Sequence, residues 1–134
     1  MSNSSAGELP LASQNDVVVG RQTVRRIAQD LGFSLVDQTK MVTAASELAR
    51  NALIYGGGGT LKWEVLNNGS KSGLRLTFTD RGPGIPDLNL AMTDGWTSGT
   101  GLGMGLTGAR RLVNEFEIDT AVGVGTRVTI TRWK

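Results

Sequence analysis

The sequence predicts an α+β fold: a two-layer α/β sandwich whose mixed, mostly antiparallel sheet is covered by helices on one face. Three observations predict it. Apolar residues recur at helical spacing from Val17 to Leu31 and from Met41 to Tyr55. Residues 60–66 and 74–79, and again 117–122 and 126–133, alternate apolar with polar around short turn-rich stretches, the pattern of hairpins. A third helical segment, residues 106–116, lies between these hairpins, so the helices must pack on one side of a sheet built from hairpins.

The elements follow in order. Residues 8–12 read as a short strand. Ser13 offers an N-cap hydroxyl with Asp16 three positions on, and Val17, Val24, Ile27, Ala28 and Leu31 line one face of a helix that Gly32 ends. Val17-Val18-Val19 alone favours a strand, so the first turn of this helix is where local preferences conflict. Ser34 and Asp37 repeat the capping arrangement ahead of a stripe formed by Met41, Ala45, Leu48, Ala52 and Tyr55. Four consecutive glycines, Gly56 to Gly59, then stop a helix expected over residues 35–55. Leu61, Trp63 and Val65 alternate with Lys62 and Glu64. After a turn dense in Asn, Gly and Ser, Leu74, Leu76 and Phe78 alternate with Arg75, Thr77 and Thr79, so this hairpin delivers Asp80 at its end. Asp87 is placed to cap a short helix over residues 88–92. Residues 93–105 are polar and glycine-rich around Trp96, and are expected to be mobile. A helix over 106–116 and a last hairpin complete the chain.

At 134 residues the chain is one domain, expected as residues 8–134 behind a flexible start of residues 1–7. No apolar run is long enough to span a bilayer, and a cytoplasmic protein without a membrane partner is expected. A net charge of +2 stands beside a pI near 9.4. With no His and no Cys, nothing titrates between carboxylates and amines, so the pI overstates basicity and no nucleic-acid partner is expected. The same absence excludes disulfides, thiolate nucleophiles, Cys or His zinc sites and imidazole bases, leaving proton transfer to Asp, Glu, Lys or Tyr.

Three fragments carry the chemistry. Glu47 and Asn51 are four apart on a helix and project from one face, at the margin of the buried stripe. A carboxamide oxygen suits Mg²⁺, and a carboxylate beside it can take a proton from an attacking hydroxyl. Such pairs are common on helices, and alone this one would be an ordinary polar face. Asp80-Arg-Gly-Pro-Gly84 places a carboxylate at a strand end, able to accept from an exocyclic amine such as that of adenine, while Gly82 and Gly84 admit a flat ring close to the backbone. An ordinary turn uses the same residues. Gly99, Gly101, Gly103 and Gly105 precede a helix and offer bare N–H groups and a helix N-terminus to an anion. No Gly-Lys-Ser or Gly-Lys-Thr follows, so this is not a P-loop.

Taken together, in this order and spacing, the fragments resemble those of the GHKL ATPases, which include gyrase, histidine-kinase and MutL ATP-binding domains. Glu47 and Asn51 match the family's N box, Asp80 to Gly84 its first glycine box and Gly101 to Gly105 its second. Thr126 matches the threonine that helps hold adenine. Within the family the chain looks most like the small serine kinases of bacterial sigma-factor partner switching, of the RsbT stressosome type. Ser46-Glu-Leu-Ala-Arg-Asn51, Asp80-Arg-Gly-Pro-Gly-Ile-Pro-Asp87, Gly101-Leu-Gly-Met-Gly-Leu106, Asp94-Gly-Trp and an Asn114-Glu-Phe ending of the last helix carry that likeness. Arg81, Met104 and Thr107 depart from common choices, at positions expected to face solvent or a lid over residues 93–107.

The resemblance implies ATP and Mg²⁺ as cofactors. Glu47 would be the general base, and Asn51 the Mg²⁺ ligand. Asp80, Gly82, Gly84, Ile85, Gly101, Gly103, Met104, Gly105, Leu106 and Thr126 would hold the nucleotide. It implies a Ser or Thr of a STAS-domain protein (RsbS- or RsbR-like) as substrate, with an RsbU-like phosphatase downstream. Two alternatives stay open: an anti-sigma-factor kinase of the RsbW or SpoIIAB type, and a nucleotide-gated binding module with little catalysis. Trp96 is expected to anchor its loop, and Arg21 to be a solvated charge.

Overall fold

The computed structural model describes residues 6–93 and 102–134. The chain runs β1 (Ala6–Leu11), α1 (Gln14–Asp30), α2 (Leu35–Ile54), β2 (Gly59–Asn67), β3 (Ser72–Asp80), α3 (Leu88–Ala91), α4 (Leu102–Arg111), β4 (Glu115–Ala121) and β5 (Gly125–Trp133). One five-stranded sheet has the order β1-β2-β3-β5-β4. Every neighbouring pair is antiparallel, so the sheet is not mixed as expected. β3 and β4 do run in the same direction, joined through α3 and α4. β5 slots between them and keeps each contact antiparallel.

The strand alternation puts Leu61, Leu74, Leu76, Phe78, Val128 and Ile130 under the helices, each no more than 4% exposed. α2 meets them with Met41, Ala44, Ala45, Leu48, Ala49 and Ala52. The alanines bring its axis close to its neighbours, which makes α2 the central helix, packed on α1, α4 and the sheet. Each fully buried Leu, Ile, Phe or Met here is worth about 1.5–3 kcal/mol over exposure. The opposite face of the sheet is polar and carries ion pairs, Arg127 to Asp119 at 2.8 Å and Arg75 to Glu64 at 3.7 Å.

Both helix starts form as the sequence predicts. The Ser13 hydroxyl accepts from the Asp16 N–H at 3.3 Å and the Ser34 hydroxyl from the Asp37 N–H at 3.1 Å. Asp16 reaches back to the Ala12 N–H at 2.8 Å. Asp37 does not: its carboxylate accepts from Arg132 at 2.7 Å, and the same guanidinium donates to the Leu112 carbonyl at 2.9 Å. The hydrogen bond from Arg132 is the main cause holding the Asp37 carboxyl below its usual value, against burial that raises it. Arg132 thus ties the start of α2 and the end of α4 to β5.

Several boundaries differ from expectation. Ala6 and Gly7 pair with Glu64 and Trp63, so the strand starts inside the stretch expected to be flexible. The last helix stops at Arg111 although Leu112, Val113 and Phe116 keep helical spacing. There the Asn114 N–H donates to the Thr131 carbonyl at 2.9 Å and the Asn114 side chain accepts from the Trp133 N–H at 2.7 Å. That register recruits Glu115 and Phe116 into β4, opposite Thr131 and Ile130, and overrides the local pattern. Thr107, expected toward solvent or a lid, is 6% exposed. Asp94, Trp96 and the centre of the expected lid lie outside the described residues. Among the described residues no helix is long and apolar enough to cross a membrane.

Candidate active site

Helical spacing sets Glu47 and Asn51 one turn apart on α2, beside the buried Leu48, Ala49 and Ala52. The backbone of α4 lies directly on them. A Cβ at Gly105 would come to 3.0 Å from Asn51 Nδ2, 3.2 Å from Asn51 Oδ1 and 3.2 Å from Glu47 Oε2. The glycine run and the carboxylate–carboxamide pair, distant in sequence, therefore meet. Leu106 and Thr107 anchor this turn of α4 in the core, at 1% and 6% exposure. Asn51 Nδ2 is buried with no hydrogen-bond partner in the protein. An unmet buried amide costs about 1–3 kcal/mol; Arg132 Nε, toward the other end of α2, is left in the same state. The Arg50 guanidinium spans the Glu47 carboxylate, at 3.2 Å to Oε1 and 3.1 Å to Oε2.

A second group forms at the end of β3. Asp80 Oδ1 accepts from the Gly82 N–H at 2.9 Å. Its carboxyl packs on Gly56, where a Cβ would collide with Asp80 Cγ and Cβ. A Cβ on Gly82 would come to 2.6 Å from Gly56 Cα, so Gly82 is small because chain packs on chain there. Gly84, at φ +78°, lies against the Ala121 backbone and serves the same close approach. The expected reason, room for a flat ring, is therefore not needed to explain either glycine. Thr126 is the cross-strand partner of Asp80. Ile85 is half-buried, its N–H donating to the Thr120 hydroxyl at 2.9 Å, and that hydroxyl is 2.9 Å from the hydroxyl of Thr126.

Glu47, Asn51, Gly105 and Leu106 form one cluster, and Asp80, Gly82, Gly84, Ile85 and Thr126 another. The end of α2 joins them: Asp80 packs on Gly56, whose N–H donates to the Asn51 carbonyl at 3.2 Å. Among the described residues two concavities of about 490 Å³ reach Asp80, and both extend onto the polar face of the sheet, one along Thr79, Asp119 and Arg127 beside Thr120 and Thr126, the other along Thr60, Lys62 and Thr79 beside Gly56 to Gly59. Neither includes Glu47 or Asn51 in its walls. Gly103 and Met104 fall in α4, and Gly101 is outside the described residues. Sequence reading missed three participants. Gly56, taken only as a helix stop, is the seat of Asp80. Arg50 engages the carboxylate of Glu47. Thr120 bridges the first glycine box to Thr126; its signal was a hydroxyl at an inward position of β4, in line with Phe116 and Ile118.

The family described as histidine kinase-, DNA gyrase B-, and HSP90-like ATPase matches residues 36–134. The chain belongs to this ATPase family. Within it, the chain is similar to the serine/threonine-protein kinase RsbT of Bacillus subtilis, 43% identical over 88% of this chain and 89% of that protein. The anti-sigma F factor of Bacillus licheniformis is 30% identical over 98% of this chain and 93% of the relative. The fold superposes with a TM-score of 0.68 on a crystal structure of the RsbU and RsbW domains of a Mycobacterium tuberculosis protein, at 22% identity, spanning 99% of this chain and 34% of that one. The expected family and α+β fold stand. Among the described residues no group of three acidic, His or Cys side chains is placed to hold a metal.

Proposed function

We propose that this ATPase-family protein is a cytoplasmic serine/threonine kinase that phosphorylates a STAS-domain partner in bacterial partner switching and, once released from it, activates an RsbU-like phosphatase. The observation that supports the catalytic part is the closeness of Gly105 to Asn51 and Glu47, which brings the glycine run of α4 against a carboxamide and a carboxylate. In this reading Asp80 accepts from the exocyclic amine of adenine, beside Thr126, Gly82, Gly84 and Ile85. Backbone N–H groups of Gly101, Gly103 and Met104, at the start of α4, hold the phosphates; Gly105 and Leu106, one turn further in, have N–H groups already bonded within the helix and serve by packing.

Asn51 fits a Mg²⁺ ion through its carboxamide oxygen, a hard ligand, while its buried Nδ2, without a partner in the protein, is a donor suited to a phosphate oxygen. When bound, Mg²⁺ supplies neutralisation of phosphate charge. Glu47 accepts the proton of the partner's hydroxyl as the new O–P bond forms. The bond from the γ-phosphorus to the bridging oxygen breaks, and ADP departs with that electron pair. Arg50 holds the carboxylate in place by its two contacts.

The likeness to RsbT supports the kinase reading. The test is incubation with labelled ATP, Mg²⁺ and STAS-domain proteins of the same genome, followed by mass spectrometry. Phosphate on a STAS Ser or Thr is expected; ATP binding without transfer to any of them leaves the binding-module reading. The relatives named anti-sigma F factor favour a second reading, an anti-sigma kinase. Capture of a sigma subunit in the presence of ATP decides for it.

A further inference from the structure

Arg50 sets one guanidinium nitrogen on both oxygens of Glu47, at 3.2 Å from Oε1 and 3.1 Å from Oε2. Oε2 is also the oxygen beside Gly105, where a Cβ would come to 3.2 Å from it and 3.0 Å from Asn51 Nδ2. The guanidinium, the carboxylate and the buried amide thus lie together where the glycine run meets α2. The ion pair is loosely held. Its side chains are 54% and 34% exposed, three residues apart on one helix, and such pairs contribute little. Among the described residues, Glu47 is the one partner of the Arg50 guanidinium.

The distribution of cations gives this arginine a second task. Residues 82–109 contain no Lys and no Arg, so the glycine run brings no positive side chain with it. The other cation of α2, Lys40, stands about two turns from Glu47, by Asp37. Arg81 lies at the Asp80 end of the site. Arg50 is left as the cation of the turn that holds Glu47 and Asn51. Phosphoryl transfer is helped chiefly by positioning and by neutralising charge on the equatorial oxygens of the moving group. A guanidinium presents a planar fork of donors that fits two such oxygens. Left on both oxygens of Glu47, it would compete with the proton of the attacking hydroxyl.

We propose that Arg50 is a catalytic residue that exchanges the Glu47 carboxylate for the γ-phosphoryl oxygens of ATP, which brings the transfer its side-chain cation and frees Glu47 to take the proton of the partner's hydroxyl. The inference rests on the kinase reading above. In the step, the hydroxyl oxygen forms its bond to the γ-phosphorus. The bond from that phosphorus to the bridging oxygen breaks, its electron pair leaves with ADP, and the hydroxyl proton passes to Glu47. Arg50 forms hydrogen bonds only and keeps its protons.

The test compares calorimetric affinities of the whole chain, with Mg²⁺, for ADP and for β,γ-imido-ATP, whose γ-phosphoryl group does not transfer. Arg50→Ala is expected to lose about tenfold for the imido analogue, the scale of one charge-assisted hydrogen bond, and less than twofold for ADP. Arg50→Lys is expected to recover most of that affinity yet to transfer phosphate at least about tenfold more slowly than wild type, because it lacks the fork. The same comparison in a Glu47→Gln chain separates contact from positioning. Direct contact with the γ-phosphoryl group predicts the tenfold loss there too, whereas an arginine that only holds the carboxylate predicts none, and that result overturns the assignment. An equal change for both nucleotides, or no change for either, overturns it as well. Arg50→Gln gives the same comparison should the alanine variant not fold. If wild type binds both nucleotides while Arg50→Ala keeps their affinity ratio, only the role of Arg50 fails; if wild type binds neither, the kinase reading fails with it.

Discussion

The carboxylate and the carboxamide of α2 sit side by side, yet they differ in what they lack. Glu47 already has a partner in Arg50, a half-exposed pair of the kind worth under about 1 kcal/mol. Asn51 has a buried donor with none. Glu47→Ala is therefore expected to fold, to bind ATP within about twofold of wild type, and to lose phosphoryl transfer by 10²-fold or more, the scale of general-base catalysis. Transfer at the normal rate would remove Glu47 from the chemistry. Asn51→Ala is expected to abolish Mg²⁺-dependent transfer. A titration in which Mg²⁺ dependence survives the change would contradict the ligand role. Asp80 is bound to its own turn through Gly82, so Asp80→Asn exchanges an acceptor for a group that also donates. A loss of ATP affinity of tenfold or more is expected by calorimetry, and an unchanged value would end the adenine role.

Among the elements, α4 is the one whose placement the site depends on. A Cβ at position 105 would enter the space between two side-chain ends, which can give way by a few tenths of an ångström. In a helix, Ala is favoured over Gly by up to about 1 kcal/mol. Gly105→Ala is thus expected to keep or raise the melting temperature while lowering transfer at least tenfold, because Asn51 and Glu47 must yield. A full-rate variant would show that this contact is not where the phosphates lie. The helix caps, the hairpin around residues 67–73 and the apolar stripe of α2 were legible in the sequence, because short-range chemistry decides them. The end of α4 was not, since Asn114 answers to Thr131 and Trp133, residues far along the chain. The same holds within the site. Asp80 and Asn51 were recognisable as types, but the need for Gly56 under Asp80, and for Thr120 between Ile85 and Thr126, exists only once β3, β5 and α2 are assembled. Gly82 and Gly84 were legible as close-approach positions, but that the chain itself approaches there, at Gly56 and Ala121, shows only in the assembled fold.

At the scale of the whole molecule, α2 and α4 are joined at both ends: by Gly105 on Asn51 and Glu47 at one, and by Arg132 at the other, where β5 reaches Asp37 and Leu112. The two ends are separated by most of α2, about 21 Å at 1.5 Å per residue. They should therefore part company on mutation. Asp37 in the folded protein is held below its ordinary value, chiefly by the hydrogen bond from Arg132. A carboxyl depressed on folding contributes stability that is fully present above its unfolded pKa, and that contribution is lost as pH falls through the folded value. The window therefore lies below about pH 4, and neutral solutions hold the full effect. With the side chains of Arg132 and Asp37 15% and 28% exposed, the pair is partly screened, and about 1–2 kcal/mol is expected after that discount. Asp37→Asn is expected to lower the melting temperature at pH 7 by several degrees, with ATP affinity at 20 °C altered less than twofold. Below pH 4 the difference in stability between wild type and variant should shrink toward zero, because the wild-type carboxyl is then protonated as well. A gap that stayed constant from pH 7 to pH 3 would mean that the ion pair contributes nothing and that the asparagine acts through packing. A fall in ATP affinity parallel to the fall in stability would mean that the clasp reaches the site through α2 after all.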